Sequence, residues 1–311
     1  MLFTTVLFQL ISLMLIAAVG ALLTKLNIID EKLTTGMGNI MTKACLPCLL
    51  ISSMQIEYDK SVLSGMSAAA LGFMFVMILS ALLVIPFALI RKSDLLELGA
   101  LVVCSSFPNV VYIGRPLIES LYGTESSIYL SVITLVFTLT VFSFGVLLVS
   151  MGNKEKTGGF KGVLRKSFLN PSVIGGIIGI LLFFFSIKLH TQILAPMQMM
   201  SSMITPLSML IIGSTLMRAK LKDILSDIRV YAVSFVRLVV TPVVTYLLLS
   251  LFIKNPIILG TLVVGSSLPT GANAGVIAQL SDNNPVLAAK CIVMSTILCL
   301  VTTPLIVLIF L

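Results

Sequence analysis

Two short stretches of this 311-residue chain hold the side chains best suited to binding chemistry. One reads Ser105-Ser106-Phe107-Pro108-Asn109, and the other Ser266-Ser267-Leu268-Pro269-Thr270, with Asn273 close behind. Each sets a proline in the middle of an apolar run. Proline has no N–H to donate and collides with the preceding turn, so one half-helix stops before it and another starts after it. The first half-helix then ends at the serine pair, with unpaired carbonyls and the negative end of its dipole. The second begins near Asn109 or Thr270, both good N-cap residues, with free N–H groups and the positive end. Two such positive ends brought together form a site for an anion such as a carboxylate. Asn109 and Asn273 add amide donors without a full buried charge, and Thr270 joins them as a candidate contact. The carbonyl ends at Ser105, Ser106, Ser266 and Ser267 are candidates for holding a cation, and Gly114 and Gly275 close the two stretches.

The elements that must position these residues are membrane helices. With 58% hydrophobic and only 10% charged residues, the chain has too little polar side chain to clothe a soluble globule. The dyad alternation of a β-barrel is absent, which leaves an all-α polytopic membrane protein. Ten spans are predicted, near 3–24, 33–55, 62–90, 95–118, 127–150, 170–189, 196–217, 229–253, 257–280 and 286–311, each close to the roughly 20 residues a bilayer demands. The first lacks a basic leader and a cleavage site, and reads as a retained span rather than a signal peptide.

The net charge of +8 is explained by loop placement rather than by nucleic acid. Of the 20 Lys and Arg residues, 13 fall in or at the edges of alternate loops, three lie on the opposite side and four lie within spans. By the positive-inside rule both termini are outside and the long basic loop "GNKEKTGGFKGVLRKSF" is in the cytoplasm, which places the chain in the cytoplasmic membrane.

That loop also divides two similar halves. Offset by 161 residues, "LGALVVCSSFPNVVYIG" (98–114) overlies "LGTLVVGSSLPTGANAG" (259–275) with nine of 17 positions identical, where about two would arise by chance. Five spans per half is an odd number, so the second half enters the membrane inverted. The expected organisation is a five-helix repeat over 1–151, a basic linker over 152–169 and an inverted repeat over 170–311. Helices four and nine are its discontinuous crossover elements. Carriers built on inverted repeats use such paired breaks to form a site near the midplane.

None of the 12 acidic residues falls at a span centre, which favours anions or neutral substrates over cations. The charges within spans are positive: Lys43, Arg115, Arg237 and Lys290. Arg237 is the deepest candidate, as an anion partner or a tie between domains, with contact to backbone carbonyls as the alternative. Arg115 has Glu119 one turn later and should form a local ion pair. Lys290 is expected to snorkel to the cytoplasmic surface, and Lys43 has no assigned role. The "CLPC" at 45–48 lacks a thioredoxin-like context, and the lone His190, at a span end, cannot build a zinc site with distant thiols. No cofactor, metal site or enzymatic nucleophile is expected.

The stretch "FPNVVYIGRPLIESLYG" (107–123) resembles the fourth-helix signature of the auxin efflux carrier family of permeases, through Pro108, Asn109, Gly114, Pro116, Leu117, Tyr122 and Gly123. "NPSVIGGIIGILLF", "FVRLVVTPVV", "SSLPTGANAGVIAQLSD" and "AAKCIVMSTILCLVTTPLIVLI" extend the resemblance over nearly the whole chain. It implies a ten-helix fold in which a scaffold domain carries a transport domain crossed at Pro108 and Pro269. It also implies organic-anion substrates: auxin for plant PIN-type carriers, malate or malonate for bacterial relatives. By this resemblance Asn109 is a carboxylate donor. The function expected is therefore a permease moving a small organic anion between the broken helices. A Na+- or H+-coupled importer of another inverted-repeat class, or a membrane sensor or scaffold, is the alternative. Expected partners are the anion and the lipid bilayer, with a homodimer as a candidate assembly.

Overall fold

The computed structural model describes residues 2–149, 165, 168–218, 224–280 and 284–311, and every element among them is helical. The basic linker expected at 152–169 lies almost wholly outside the described residues, as do Lys220 and Lys222. The helices are α1 (Leu2–Lys25), α2 (Glu31–Ile40), α3 (Leu46–Ser52), α4 (Lys60–Ile90), α5 (Leu95–Ser106), α6 (Arg115–Tyr122), α7 (Ser126–Thr140) and α8 (Val146–Val149). After the linker come α9 (Pro171–Phe184), α10 (Thr191–Ser202), α11 (Ile204–Arg218), α12 (Ile228–Phe235), α13 (Thr241–Leu249), α14 (Pro256–Ser266), α15 (Ala272–Leu280) and α16 (Pro285–Phe310).

Helix starts follow from side chains that accept from first-turn N–H groups. Asp30, Asp59, Asp94, Asn170, Asp227, Asn255 and Asn284 each cap the helix that follows. Helical segments occupy all ten predicted positions. Six stretches among the described residues are long and apolar enough to cross a bilayer: Thr4–Lys25, Lys60–Ile90, Val110–Leu148, Thr191–Arg218, Ile228–Leu249 and Val286–Phe310. The apolar helices Glu97–Ser106, Pro171–Phe184 and Pro256–Ser266 are shorter. Phe8, Leu71, Leu82, Val301 and Ile309 are all at least 60% exposed, an outer surface suited to hydrocarbon rather than water.

Proline does more here than interrupt. Three π turns, Met41–Cys45, Val110–Gly114 and Val236–Val240, each run directly into an X-Pro pair at the start of the next helix: Leu46-Pro47, Arg115-Pro116 and Thr241-Pro242. A proline ring clashes with the carbonyl four residues back. The wider π turn moves that carbonyl aside, so the helix continues with a bulge instead of breaking. A true break occurs at Pro108 and Pro269, where the flanking residues leave the helical conformation altogether.

Glycines set the closest helix contacts. A Cβ on Gly213 would overlap the Ala17 carbonyl, and one on Gly20 would overlap Leu210, so α1 and α11 meet backbone to backbone. Gly175 and Gly179 do the same for α9 against α3, where an added Cβ would lie 2.7 Å from Pro47 Cα and 2.6 Å from the Leu50 carbonyl oxygen. Beside these pairs, α4 packs on α5 and α7, α12 on α16, and α13 on α14.

Candidate functional site

The two proline breaks meet. Asn109 N donates to the Pro269 carbonyl at 2.8 Å and Gly271 N donates to the Phe107 carbonyl at 2.8 Å, which makes an antiparallel bridge between Pro108 and Thr270. Pro108 and Thr270 face each other as a pair that exchanges no backbone hydrogen bonds, so the missing N–H of Pro108 leaves no vacancy in the bridge. Gly271 eases this approach: a Cβ there would sit tightly, 3.1 Å from the Pro108 carbonyl oxygen and 3.2 Å from that of Phe107. A Cβ on Gly114 would instead meet the tip of the Leu268 side chain. All residues of 101–110 and 261–270 are buried.

Buried carbonyls freed by the two helix ends must find donors. α5 ends at Ser106 and α14 at Ser266, as the sequence predicts. Thr270 Oγ1 donates across the crossing to the Cys104 carbonyl at 2.8 Å. Ser80 Oγ, from the middle of α4, donates to the Ser105 carbonyl at 2.7 Å. Thr303 Oγ1 donates to the Ser267 carbonyl at 2.9 Å. Arg237 Nε donates to the Leu268 carbonyl at 2.9 Å, and its Nη1 donates to the Ser105 carbonyl. One guanidinium therefore clasps the carbonyl ends of both breaks. The contact with backbone carbonyls, the alternative for Arg237 in the sequence, is the geometry adopted, and Nη2 remains buried without a partner.

Local sequence explains how Arg237 arrives there. It sits in the π turn ahead of Pro242, and Thr241 Oγ1 donates at 2.9 Å to the Val236 carbonyl, which also accepts the Thr241 backbone N–H that closes the turn. The same hydroxyl reaches Ser80 Oγ at 3.2 Å, so α4, α5 and α13 share one fully buried polar cluster.

The N-cap roles expected of Asn109 and Thr270 need correction. Asn109 has φ −80° and ψ 53° rather than the extended backbone of a capping residue, and its side chain makes no cap bond. Its carboxamide has no hydrogen-bond partner among the described residues, and the residue is 3% exposed. Its carbonyl accepts from Ile113 N and Gly114 N, closing the π turn. Thr270 is drawn instead to the Cys104 carbonyl, and its N–H goes to Ser295 Oγ at 3.0 Å. Asn273, on α15, is half-buried, as is Gly275. The Ser266 and Ser267 hydroxyls bond back to Val263 and Val264, whereas Ser106 Oγ is buried and unpaired.

The other in-span cations separate cleanly. Arg115 pairs with Glu119 at 2.7 Å as expected, and also donates to Ser131 Oγ at 2.8 Å. It lines a polar cavity of about 280 Å³ together with Glu119, Ser53, Ser127 and Gln198. A larger cleft of about 510 Å³ near Lys25, Asp30 and Arg218 contains none of the crossing residues. Lys290 does not merely reach for the surface: it lies 3.3 Å from Asp227, which also holds Arg229 at 2.7 Å. Asp227 caps α12 beside Lys290, and a local carboxylate wins over extension into solvent. The Arg229 side chain holds the Asp227 carboxyl down at about 2, against the upward push of burial. Lys43 is exposed on its π turn, and the five cysteines are free thiols.

Sequence reading missed Ser80, Thr241, Ser295 and Thr303. Each is a small hydroxyl in an apolar run, Ser295 and Thr303 beside a second one, of a kind ordinarily satisfied by its own helix, and only the position of the breaks shows which ones also meet them.

Comparison with known proteins adds two findings. A family model described as membrane transport protein matches residues 5–307. An "Uncharacterized transporter" of Methanothermobacter thermautotrophicus is 25% identical over 303 residues, covering 95% of each chain.

Proposed function

The chain belongs to the membrane transport protein family, the auxin efflux carrier permeases, and on that premise we propose that it is a secondary transporter of a small organic anion. The substrate class is a carboxylate, carried by alternating access around the crossing of the two broken helices. The observation that carries this reading is the bridged break itself. Two buried backbone interruptions are held against each other while the Asn109 carboxamide, at their junction, stays without a partner. Irregular backbone in a bilayer is tolerated where protein or a cavity satisfies it, and carriers place substrates at such junctions.

In this reading the architecture is ten spans in two inverted halves, with both termini outside and the central loop in the cytoplasm. Asn109 and Asn273 supply donors to the carboxylate. Pro108, Pro269, Gly114 and Gly275 shape the crossing. Thr270 and Arg237 hold the site by fixing the carbonyl ends, and the free Nη2 adds positive potential. An anion is favoured outward by a negative cell interior, by about 2.3 kcal/mol per charge per 100 mV.

The test is uptake and binding of labelled malate, malonate and indole-3-acetate by reconstituted protein. Asn109→Ala should weaken binding of the accepted substrate about 10- to 100-fold, the loss of a hydrogen bond to a charged group. Unchanged binding in Asn109→Ala and Pro108→Ala would overturn the assignment of the site.

A further inference from the structure

The crossing has the oxygen chemistry of a monovalent-cation site, and a side chain already fills it. Ser105 and Leu268 present carbonyl ends from two different broken helices, and Ser80 Oγ and Thr241 Oγ1 stand beside them. In carriers built on paired broken helices, such carbonyl ends coordinate the coupling ion. Hard neutral oxygens of this kind suit an alkali cation. Here the Arg237 guanidinium donates to both carbonyls and is fully buried.

We propose that Arg237 is a tethered replacement for a coupling cation, so that the crossing does not bind Na+ and the carrier does not use Na+ at this site. The argument is electrostatic. Carbonyl ends of two half-helices add their negative dipoles in a medium of low dielectric, which calls for a positive charge between them. No carboxylate bonds to Arg237 among the described residues. Its charge is balanced by backbone dipoles alone, as a bound alkali ion would be. The π turn before Pro242 delivers the guanidinium, and Ser80 and Thr241 complete its surroundings. A second cation in the same oxygen set would face a fixed positive charge at contact range, and is excluded.

This inference rests on the carrier reading given above, and its test runs without transport. Full-length protein in lipid nanodiscs is assayed for binding of radiolabelled sodium and for its unfolding midpoint in NaCl against choline chloride of equal concentration. Wild type should show no saturable sodium binding and the same midpoint in both salts. Arg237→Met should gain saturable sodium binding, and a midpoint that rises with NaCl but not with choline chloride. Arg237→Lys, which keeps a charge, should fold and stay indifferent to sodium. Folding of Arg237→Met in NaCl alone would likewise support the proposal. Saturable sodium binding by wild type would overturn it, as would a folded Arg237→Met that ignores sodium. Failure of both variants to fold in every salt would also overturn it, because position 237 would then do more than supply charge. Sodium binding by a wild type that still moves malate would sink this inference alone and leave the carrier reading standing.

Discussion

Thr270→Val is the substitution that best isolates the wiring of the crossing. Valine matches threonine in shape, so the packing of a fully buried position is kept and only the hydroxyl is lost. That hydroxyl is the donor to the Cys104 carbonyl at 2.8 Å, a bond between the last turn of α5 and the break that follows α14. Side-chain hydrogen bonds between membrane helices contribute about 0.6 to 2 kcal/mol. An acceptor left buried without its donor costs about 1 to 3 kcal/mol. The ranges overlap between about 1 and 2 kcal/mol, a factor of roughly 5 to 30 in the folded-to-unfolded ratio. The assay is unfolding of the purified protein by SDS in mixed micelles, with Thr270→Ser as the partner variant. Serine keeps the donor and loses a methyl, so it should recover most of the loss. A valine variant indistinguishable from wild type, or a serine variant as damaged as valine, would refute the assignment of this bond as a structural tie.

The remaining predictions address packing and charge. Gly213→Ala should destabilise the protein by about 1 to 3 kcal/mol, because its Cβ overlaps the Ala17 carbonyl where α1 meets α11. Gly36→Ala, within α2 and with nothing inside 4 Å of the new Cβ, should instead gain about 0.5 to 1 kcal/mol in the same SDS titration. Asp227, held at about 2 by Arg229, contributes stability that is present above its ordinary value near 3.8 and is lost as pH falls through about 2. Unfolding midpoints followed from pH 5 down toward pH 2 should therefore fall in wild type. They should flatten in Asp227→Asn, with Lys290→Met lowering the midpoint at neutral pH.

Much of this arrangement was legible in the residues because the deciding effects are local. Proline position forecast where α5 and α14 end, to within a residue, since a missing donor and a ring clash act on the nearest turn. The Arg115–Glu119 pair was legible for the same reason, being four residues apart on one helix. The partner of Lys290 was not, because Asp227 is 63 residues away in sequence. Nor was the division between prolines that break a helix and those that sit behind a π turn. Pro47, Pro116 and Pro242 present the same local chemistry as Pro108, and only packing around the released carbonyl tells the two outcomes apart. At Pro242 that carbonyl belongs to a turn held by Thr241, so the helix continues. At Pro108 the chain finds a bridge partner in the other break, and the helix lets go.

The bridge also explains why matched halves end in unequal chemistry. An exact two-fold would pair Pro108 with its counterpart Pro269. The register instead sets Pro108 against Thr270, with Asn109 N and Gly271 N donating across it. That shift spends Thr270 on the Cys104 carbonyl and leaves Asn109 with a free carboxamide. The carbonyl ends diverge in turn: Ser267 is met by neutral Thr303, while Ser105 and Leu268 share the charge of Arg237. The junction therefore carries the unpartnered Asn109 carboxamide at one break and, at the Ser105 and Leu268 carbonyl ends, the charge of Arg237. In the reading proposed above, a carboxylate bound there would have a preferred direction, set by the one-residue offset between two similar sequences.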